Sequence, residues 1–429
     1  MKISKLKIEK YKQLENLQFD FTYQSGKRKG QPLEKICFIG QSATGKTNIL
    51  DTIFSYVAES QDLSIYGEKF GYDIFTTPHD KVNAKGGITI QFNKNIYSKY
   101  NDLLTFNENS FSYGIFDSFN DEATSLFDFQ NKSNLHYFKA NLISEENIEI
   151  FGENPIDLID KYPNITNEYK NRVVNIFDSN VPKEIWLSLI NDILEYRKKF
   201  TQKMSELIHK GLLANQKKLS SEFSRWQKDN PNKLKEFTEK FNPIIEKLNL
   251  EVDLVNTEYS IPISNKRNEE IIPIQNTSTG TKGLLLTFLP LFKLNTKDSI
   301  ILMDEPERSL YPDMQMDLIE HYQNLAPKAQ FIVATHSPFI AASFEPEERF
   351  ILYFNEDGKV AFRRGNSPIG DDPNDMLKND FGVNYYNKHG EKAYKKYLDL
   401  KQEVANEKDT KKKKKLLFEM VKLGDDYNF

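Results

Sequence analysis

Cysteine is almost missing from this sequence. Cys37 is the single one in 429 residues, so no internal disulfide can form, and six histidines beside it give no finger or ribbon spacing for structural zinc. A reducing compartment is the simplest setting. Long hydrophobic runs are missing too: nothing approaches 18 uncharged apolar residues, and the opening MKISKLKIEKYKQ alternates charge with apolar residues instead of building a leader core. Neither a membrane span nor a secretory leader is expected, and the chain is expected to be cytoplasmic. A surplus of one charge is absent as well. With 58 Lys and Arg against 62 Asp and Glu, the formal charge of -4 neither demands nor forbids a polyanionic partner, and DNA remains a possible one only through a local patch.

What the chain does have is core material. Hydrophobic residues make up 38% and aromatic residues 13%, with 31 Phe and 21 Tyr, which excludes a wholly disordered chain. The length is about three times that of a typical domain, so several domains or one domain with insertions are expected.

Residues 2–21 place Ile3, Leu6, Ile8, Leu17, Phe19 and Phe21 largely at alternating positions, the pattern of two antiparallel strands with one buried face. Ile36-Cys37-Phe38-Ile39 is continuously apolar, as a strand covered on both faces must be. Segment 88–92 alternates again. From Trp186 through Leu189, Ile193, Tyr196, Phe200, Met204 and Leu207 the apolar steps are three or four residues, one stripe of a helix that Gly211 interrupts, and Leu234, Phe237 and Phe241 start a second stretch after Asn230-Pro231. Strand-like segments return at 251–274, a helix-like run at 281–294, and buried strands at Ile300–Met303 and Phe331–Ala334. The fold class expected is α/β: a mixed or parallel sheet flanked by helices, with a helical insertion in the form of a short hairpin. The divisions read as 1–95, an insertion at 96–180 without an assigned role, a helical insertion at 181–250, a returning lobe at 251–365 and a charged helical tail at 366–429. Lys411–Lys415 in that tail reads as a solvated face.

Four segments carry chemistry. Gly40-Gln41-Ser42-Ala43-Thr44-Gly45-Lys46-Thr47 is G-x-x-x-x-G-K-[ST], set between a buried strand and an apolar helix that begins at Asn48. Such a loop turns backbone N–H groups into one anion-binding concavity at a helix N-terminus; Lys46 reaches the β and γ phosphates of a nucleotide such as ATP, and the Thr47 hydroxyl holds Mg²⁺. At the end of a buried strand, Asp304 is placed to complete the Mg²⁺ shell and Glu305 to orient or deprotonate an attacking water, although Asp-Glu-Pro is also an ordinary loop start. Ser278-Thr279-Gly280-Thr281-Lys282 is a hydroxyl-rich turn entering an apolar helix, either a plain cap or a second anion site. His336 ends the strand Phe331–Ala334.

In this order the four resemble the nucleotide-binding core of ATP-binding-cassette ATPases, and within them the RecF/SMC/OLD-like AAA-family branch of P-loop ATPase heads. The resemblance covers about 2–95 and 270–365. It implies that 40–47 is the Walker A loop, 278–282 the signature, 300–305 Walker B, Ser309–Pro312 the D-loop region and His336 the switch histidine. Ser-Thr-Gly-Thr-Lys in the signature departs from the transporter pattern and is similar to bacterial defence-associated members, while Asp375-Met376-Leu377, Asp380-Phe381-Gly382 and the helix after them resemble the tails of PtuA-type ATPases of Septu and retron systems. For the Q-loop, Gln91 and Gln130 both stand as candidates beside the reading of either as a surface amide.

The resemblance implies a Mg²⁺-dependent ATPase in which the signature of one protomer closes over ATP held by another, giving an ATP-dependent homodimer or larger homo-oligomer. Glu305 and His336 are then catalytic; Gly40, Ser42, Ala43, Thr44, Gly45, Lys46, Thr47, Asn48, Ser278, Thr279 and Gly280 bind the nucleotide; Thr47 and Asp304 hold the metal. Three functions follow: a sensor or regulator of a separately encoded nuclease or other effector in antiphage defence; a DNA-repair or DNA-clamp ATPase of RecF or SMC type; and a scaffold that holds ATP without hydrolysing it. No membrane partner is expected.

Overall fold

The computed structural model describes residues 1–61, 84–101, 103–107, 109–112, 134–163, 165, 172–370, 372–383 and 388–427. The chain divides into two compact units, Met1–Gly370 and Asp371–Phe429.

In the first unit β1 (Lys2–Tyr11) and β2 (Leu14–Asp20) form the expected antiparallel pair, followed by β3 (Lys35–Gly40) and α1 (Lys46–Gln61). An antiparallel meander of β4 (Lys85–Phe92), β5 (Asn95–Tyr100), β6 (Leu103–Phe106) and β7 (Asn109–Ser112) adds to β1, giving a six-stranded sheet in the order β2-β1-β4-β5-β6-β7. Then come β8 (Leu135–Phe138), α2 (Glu145–Gly152), α3 (Pro155–Lys161) and β9 (Val174–Phe177). Three helices follow: α4 (Lys183–His209), α5 (Gln216–Asp229) and α6 (Lys233–Ile245). The break after α4 falls at Gly211, whose φ of 68° is left-handed and free of penalty for glycine alone. Tyr196 and Phe200 of α4 meet Phe223 and Trp226 of α5, so the helical insertion folds back on itself instead of extending.

The chain returns through a small sheet of β10 (Leu250–Val252), β11 (Ile263–Asn265) and β12 (Ile271–Ile272) to α7 (Thr279–Lys293) and β13 (Ile300–Asp304). Helices α8 (Pro312–Met316) and α9 (Leu318–Leu325), strand β14 (Gln330–Ala334), helix α10 (Pro338–Ala341) and the hairpin of β15 (Arg349–Phe354) and β16 (Val360–Arg364) complete the unit.

The central sheet has seven strands in the order β16-β15-β3-β14-β13-β8-β9, all parallel except the edge strand β16. Strands β3, β13 and β14 are continuously apolar because helices or the second sheet cover both faces, the condition for a parallel sheet. Phe38 of β3 and Phe350 of β15 pack edge-on against Phe19 of β2 and Phe21 just beyond it, joining the two sheets through one aromatic core. Cys37, on the opposite face of β3 from Phe38, has no exposure, and burial pushes its thiol far above the usual range. Its role is packing.

Strand β8 lies in a stretch without a sequence assignment, yet it is a central strand, paired in parallel with β13 on one side and β9 on the other. Gln130 lies outside the described residues.

The second unit contains α11 (Pro373–Asn379), α12 (Lys388–Asn406) and α13 (Thr410–Tyr427). Among the described residues no helix is long and apolar enough to cross a membrane.

Candidate functional site

Strand order places the carboxyl ends of β3, β14, β13 and β8 side by side, the edge of an open α/β sheet where ligands collect. Gly40 ends β3. Its φ is 137°, and a Cβ there would lie 2.1 Å from Leu352 O of the neighbouring strand, so glycine alone lets the chain leave the sheet into the loop. The Thr44 hydroxyl donates to Gln41 O at 2.7 Å and closes the loop on itself. Ile49 N is the first amide to bond back along α1, to Gly45 O at 2.9 Å. The amides of Gly45, Lys46, Thr47 and Asn48 are therefore the four that a helix start leaves open. Gln13, from the turn between β1 and β2, donates to Ala43 O and its Oε1 accepts from the side-chain Nδ2 of Asn48, while Lys12 donates to Asn48 Oδ1. Ser42 is exposed on the loop.

Lys46 is 6% exposed and turns back over the loop, its Nζ donating to Gly40 O at 3.0 Å and Gln41 O at 3.2 Å. Burial lowers its pKa to about 8, although Asp304, Glu305 and Glu307 pull the other way. Among the described residues its hydrogen-bond acceptors are neutral carbonyls, so an anion entering the loop would stabilise the charged form.

Thr47 Oγ1 donates to Asp304 Oδ2 at 2.9 Å, so two groups 257 positions apart in the chain meet at one point. Asp304 is 8% exposed, and burial raises its pKa to about 6, with the Thr47 hydrogen bond opposing and Glu305 and Asp51 adding to the rise. A hydroxyl and a buried, partly suppressed carboxylate suit a hard divalent cation such as Mg²⁺, which takes oxygen ligands and would restore the charged form.

Glu305 is the first residue beyond β13. Its amide donates to Ala334 O at 2.8 Å, and its φ of 48° is left-handed, an uncommon conformation for a residue with a side chain. Its carboxylate stands 3.9 Å from His336 Nε2, both side chains partly exposed. Burial and then Lys46 lower the His336 pKa, with Glu305 opposing, which favours the neutral imidazole. Glu307 was not legible as a site residue. It is 9% exposed and accepts from Thr335 Oγ1 at 2.6 Å and from the His336 amide at 3.1 Å, which fixes the end of β14 against the turn after β13. Burial raises its pKa.

The turn at 278–282 is built otherwise. Ser278 caps α7 by accepting from Thr281 N at 3.1 Å, and Lys282 N bonds back to Ser278 O, which leaves Thr279 and Gly280 with open amides. A Cβ on Gly280 would lie 2.5 Å from Ser309 O, so the turn is packed directly on the segment after Glu305. Lys282 is 8% exposed with its Nζ 3.4 Å from both Glu145 oxygens, and its charge is already engaged. Thr279, Gly280, Asp304, Glu305 and the residues after β8, Lys139–Asn141, line one cavity of about 190 Å³. Gln91 belongs to β4 of the antiparallel sheet. The end of β8, beside β13, carries no clear sequence signal, because Leu-His-Tyr-Phe is only four residues long within polar surroundings.

A family description of the AAA ATPase domain matches residues 1–341, and the chain belongs to that family. A 72-residue stretch, 17% of the chain, is 33% identical to the Septu protein PtuA of Bacillus thuringiensis and spans 18% of that protein's length. Among solved structures, the Smc head domain of Pyrococcus furiosus bound to the C-terminal domain of ScpA aligns with 85% of the chain and 96% of its own length at 15% identity and a TM-score of 0.38. The SMC head domain of Thermotoga maritima aligns with 86% and 100% at 13% identity and a TM-score of 0.39.

Proposed function

We propose that this ATPase binds Mg²⁺-ATP on the Gly40–Thr47 loop and hydrolyses it in a site completed by the Ser278–Gly280 turn of a second copy. One observation carries the reading: the hydrogen bond from Thr47 to Asp304 brings the loop and the carboxylate strand to one point, with Glu305 and His336 immediately beyond it.

Lys46 would leave its carbonyl partners for the β and γ phosphates, regaining a full charge, while the amides at the start of α1 donate to phosphate oxygens. Thr47 and Asp304 would hold the metal, which supplies charge neutralisation on the phosphates. Glu305 takes a proton from water as the water oxygen bonds to the γ-phosphorus. The bond from that phosphorus to the ADP oxygen breaks, and the electron pair leaves with ADP. His336, neutral and held at its amide by Glu307, donates toward the γ-phosphate. The partner's Ser278 hydroxyl and the amides of its Thr279 and Gly280 would contact the same phosphate, so association requires the group that ADP lacks. The lobes 1–95 and 251–365 form this head in our reading, with 96–180 and 181–250 inserted and 366–429 appended.

The likeness to the Septu protein PtuA supports a biological role in antiphage defence, as a sensor or regulator of a separately encoded nuclease effector. The core test is sedimentation of the full chain with ATP, ADP or no nucleotide, beside phosphate release with and without Mg²⁺. ATP is expected to raise association above the level seen with ADP or without nucleotide, and turnover is expected to depend on the metal. Equal association with ADP, or turnover by the monomer, would overturn the shared site.

A further inference from the structure

Helix α13 uses one face and leaves the other bare. Leu416, Met420 and Leu423 are half-buried on the side toward α12, and Lys396 of α12 pairs with Glu419 at 3.0 Å. On the other side Phe418 is 74% exposed, Val421 48% and Leu417 44%. The exposed line reads Lys414, Phe418, Val421, Asp425, with steps of four, three and four that keep one face over roughly three turns. It is a cation, two apolar residues and an anion, in that order.

This order is its own complement when reversed. Laid end for end against a second α13, Lys414 faces Asp425, Phe418 faces Val421, and the two-fold axis repeats both contacts. A parallel arrangement would instead set Lys414 against Lys414 and Asp425 against Asp425, so the charges select the antiparallel one. Among the described residues neither Lys414 nor Asp425 takes part in an ion pair.

We propose that a second copy of this chain docks antiparallel on the exposed face of α13, independently of nucleotide. A single helix pair buries less than the roughly 1,200 Å² at the low end of stable complexes, so the contact is weak alone. It becomes effective when another interface already holds the two chains together, because effective concentration then multiplies a small affinity.

The test is sedimentation equilibrium of the nucleotide-free full chain from low to high micromolar concentration. The wild type is expected to dimerise with concentration, and Phe418→Glu, on an exposed position, to remain monomeric throughout. Lys414→Asp and Asp425→Lys should each weaken association about tenfold, as two opposed ion pairs become like-charge pairs, and the double exchange should recover it. A monomeric wild type, an unchanged distribution for Phe418→Glu, or a double exchange that fails to recover would overturn the proposal; the last would point to another occupant of this face. Because no nucleotide is present, failure of the shared ATP site would leave this result untouched.

Discussion

The two glycine turns of the head have the same outline and opposite completeness. The Gly40–Thr47 loop holds a buried cation, open amides and a hydroxyl already bonded to a carboxylate, so everything an anion and a hard metal need is within one chain. The turn at 278–282 has two open amides, a hydroxyl spent on its own cap and a lysine engaged by Glu145. Open amides without a free cation attract phosphate weakly. The contrast teaches that the second turn would bind phosphate only where another site has already gathered the charge, which is the physical ground of the shared site proposed above.

The sharpest attack on this contrast is at the chemistry beside the complete turn. Glu305→Gln keeps the shape and removes the base; phosphate release should fall by about a thousandfold, or about 4 kcal/mol of barrier, while ATP stays bound and the dimer accumulates. Turnover at the parental rate would reject Glu305 as the base. Lys46→Ala should weaken ATP binding about a hundredfold, roughly 2.7 kcal/mol, measured by calorimetry. Ser278→Arg should leave calorimetric ATP binding within about twofold and abolish ATP-dependent association. An unchanged dimer fraction would show that the second turn faces no neighbour's phosphate.

A milder handle is pH. Burial lowers Lys46 to about 8 in the nucleotide-free chain, whereas a bound triphosphate restores the charged form and raises it. Binding therefore takes up almost no proton at pH 7 and approaches one proton at pH 9, and ATP affinity at pH 9 should be about tenfold below its neutral value. Calorimetry in two buffers of different ionisation enthalpy reads this directly. Proton release on binding at pH 9 would contradict the charge assigned to Lys46.

How much of this was legible follows from burial. Strands β3, β13 and β14 could be read because a parallel strand covered on both faces is an unbroken apolar run, and the loop and carboxylates attach to their ends. Strand β8 was not, since its four residues include His136, which the fold buries and whose pKa burial lowers to about 4. A buried neutral histidine has no sequence sign. Gln91, a candidate for the Q-loop or a surface amide, lies in β4 of the other sheet. In the tail the run Lys411–Lys415 dominates the sequence, and the apolar stripe behind it, Leu417, Phe418 and Val421, keeps helical spacing over too few residues to stand out beside it.

Glu307 is hidden for a related reason: a carboxylate immediately after a loop-starting proline reads as solvent-facing. In the fold the segment Glu305–Leu310 runs between the two turns, with Glu307 holding Thr335 and the His336 amide on one side and Ser309 packed on Gly280 on the other. Glu307→Ala strips the acceptor from a buried hydroxyl and from the amide that fixes His336, whereas Glu307→Gln retains an acceptor oxygen. The alanine variant should lower kcat about tenfold with KM for ATP nearly unchanged, since the Gly40–Thr47 loop is untouched, and glutamine should recover most of the loss. If KM rose as kcat fell, or glutamine failed as badly as alanine, Glu307 would be serving the fold of the whole head rather than the placement of His336. Recovery by glutamine would instead make this short segment the mechanical link by which hydrolysis at the complete turn is felt at the incomplete one.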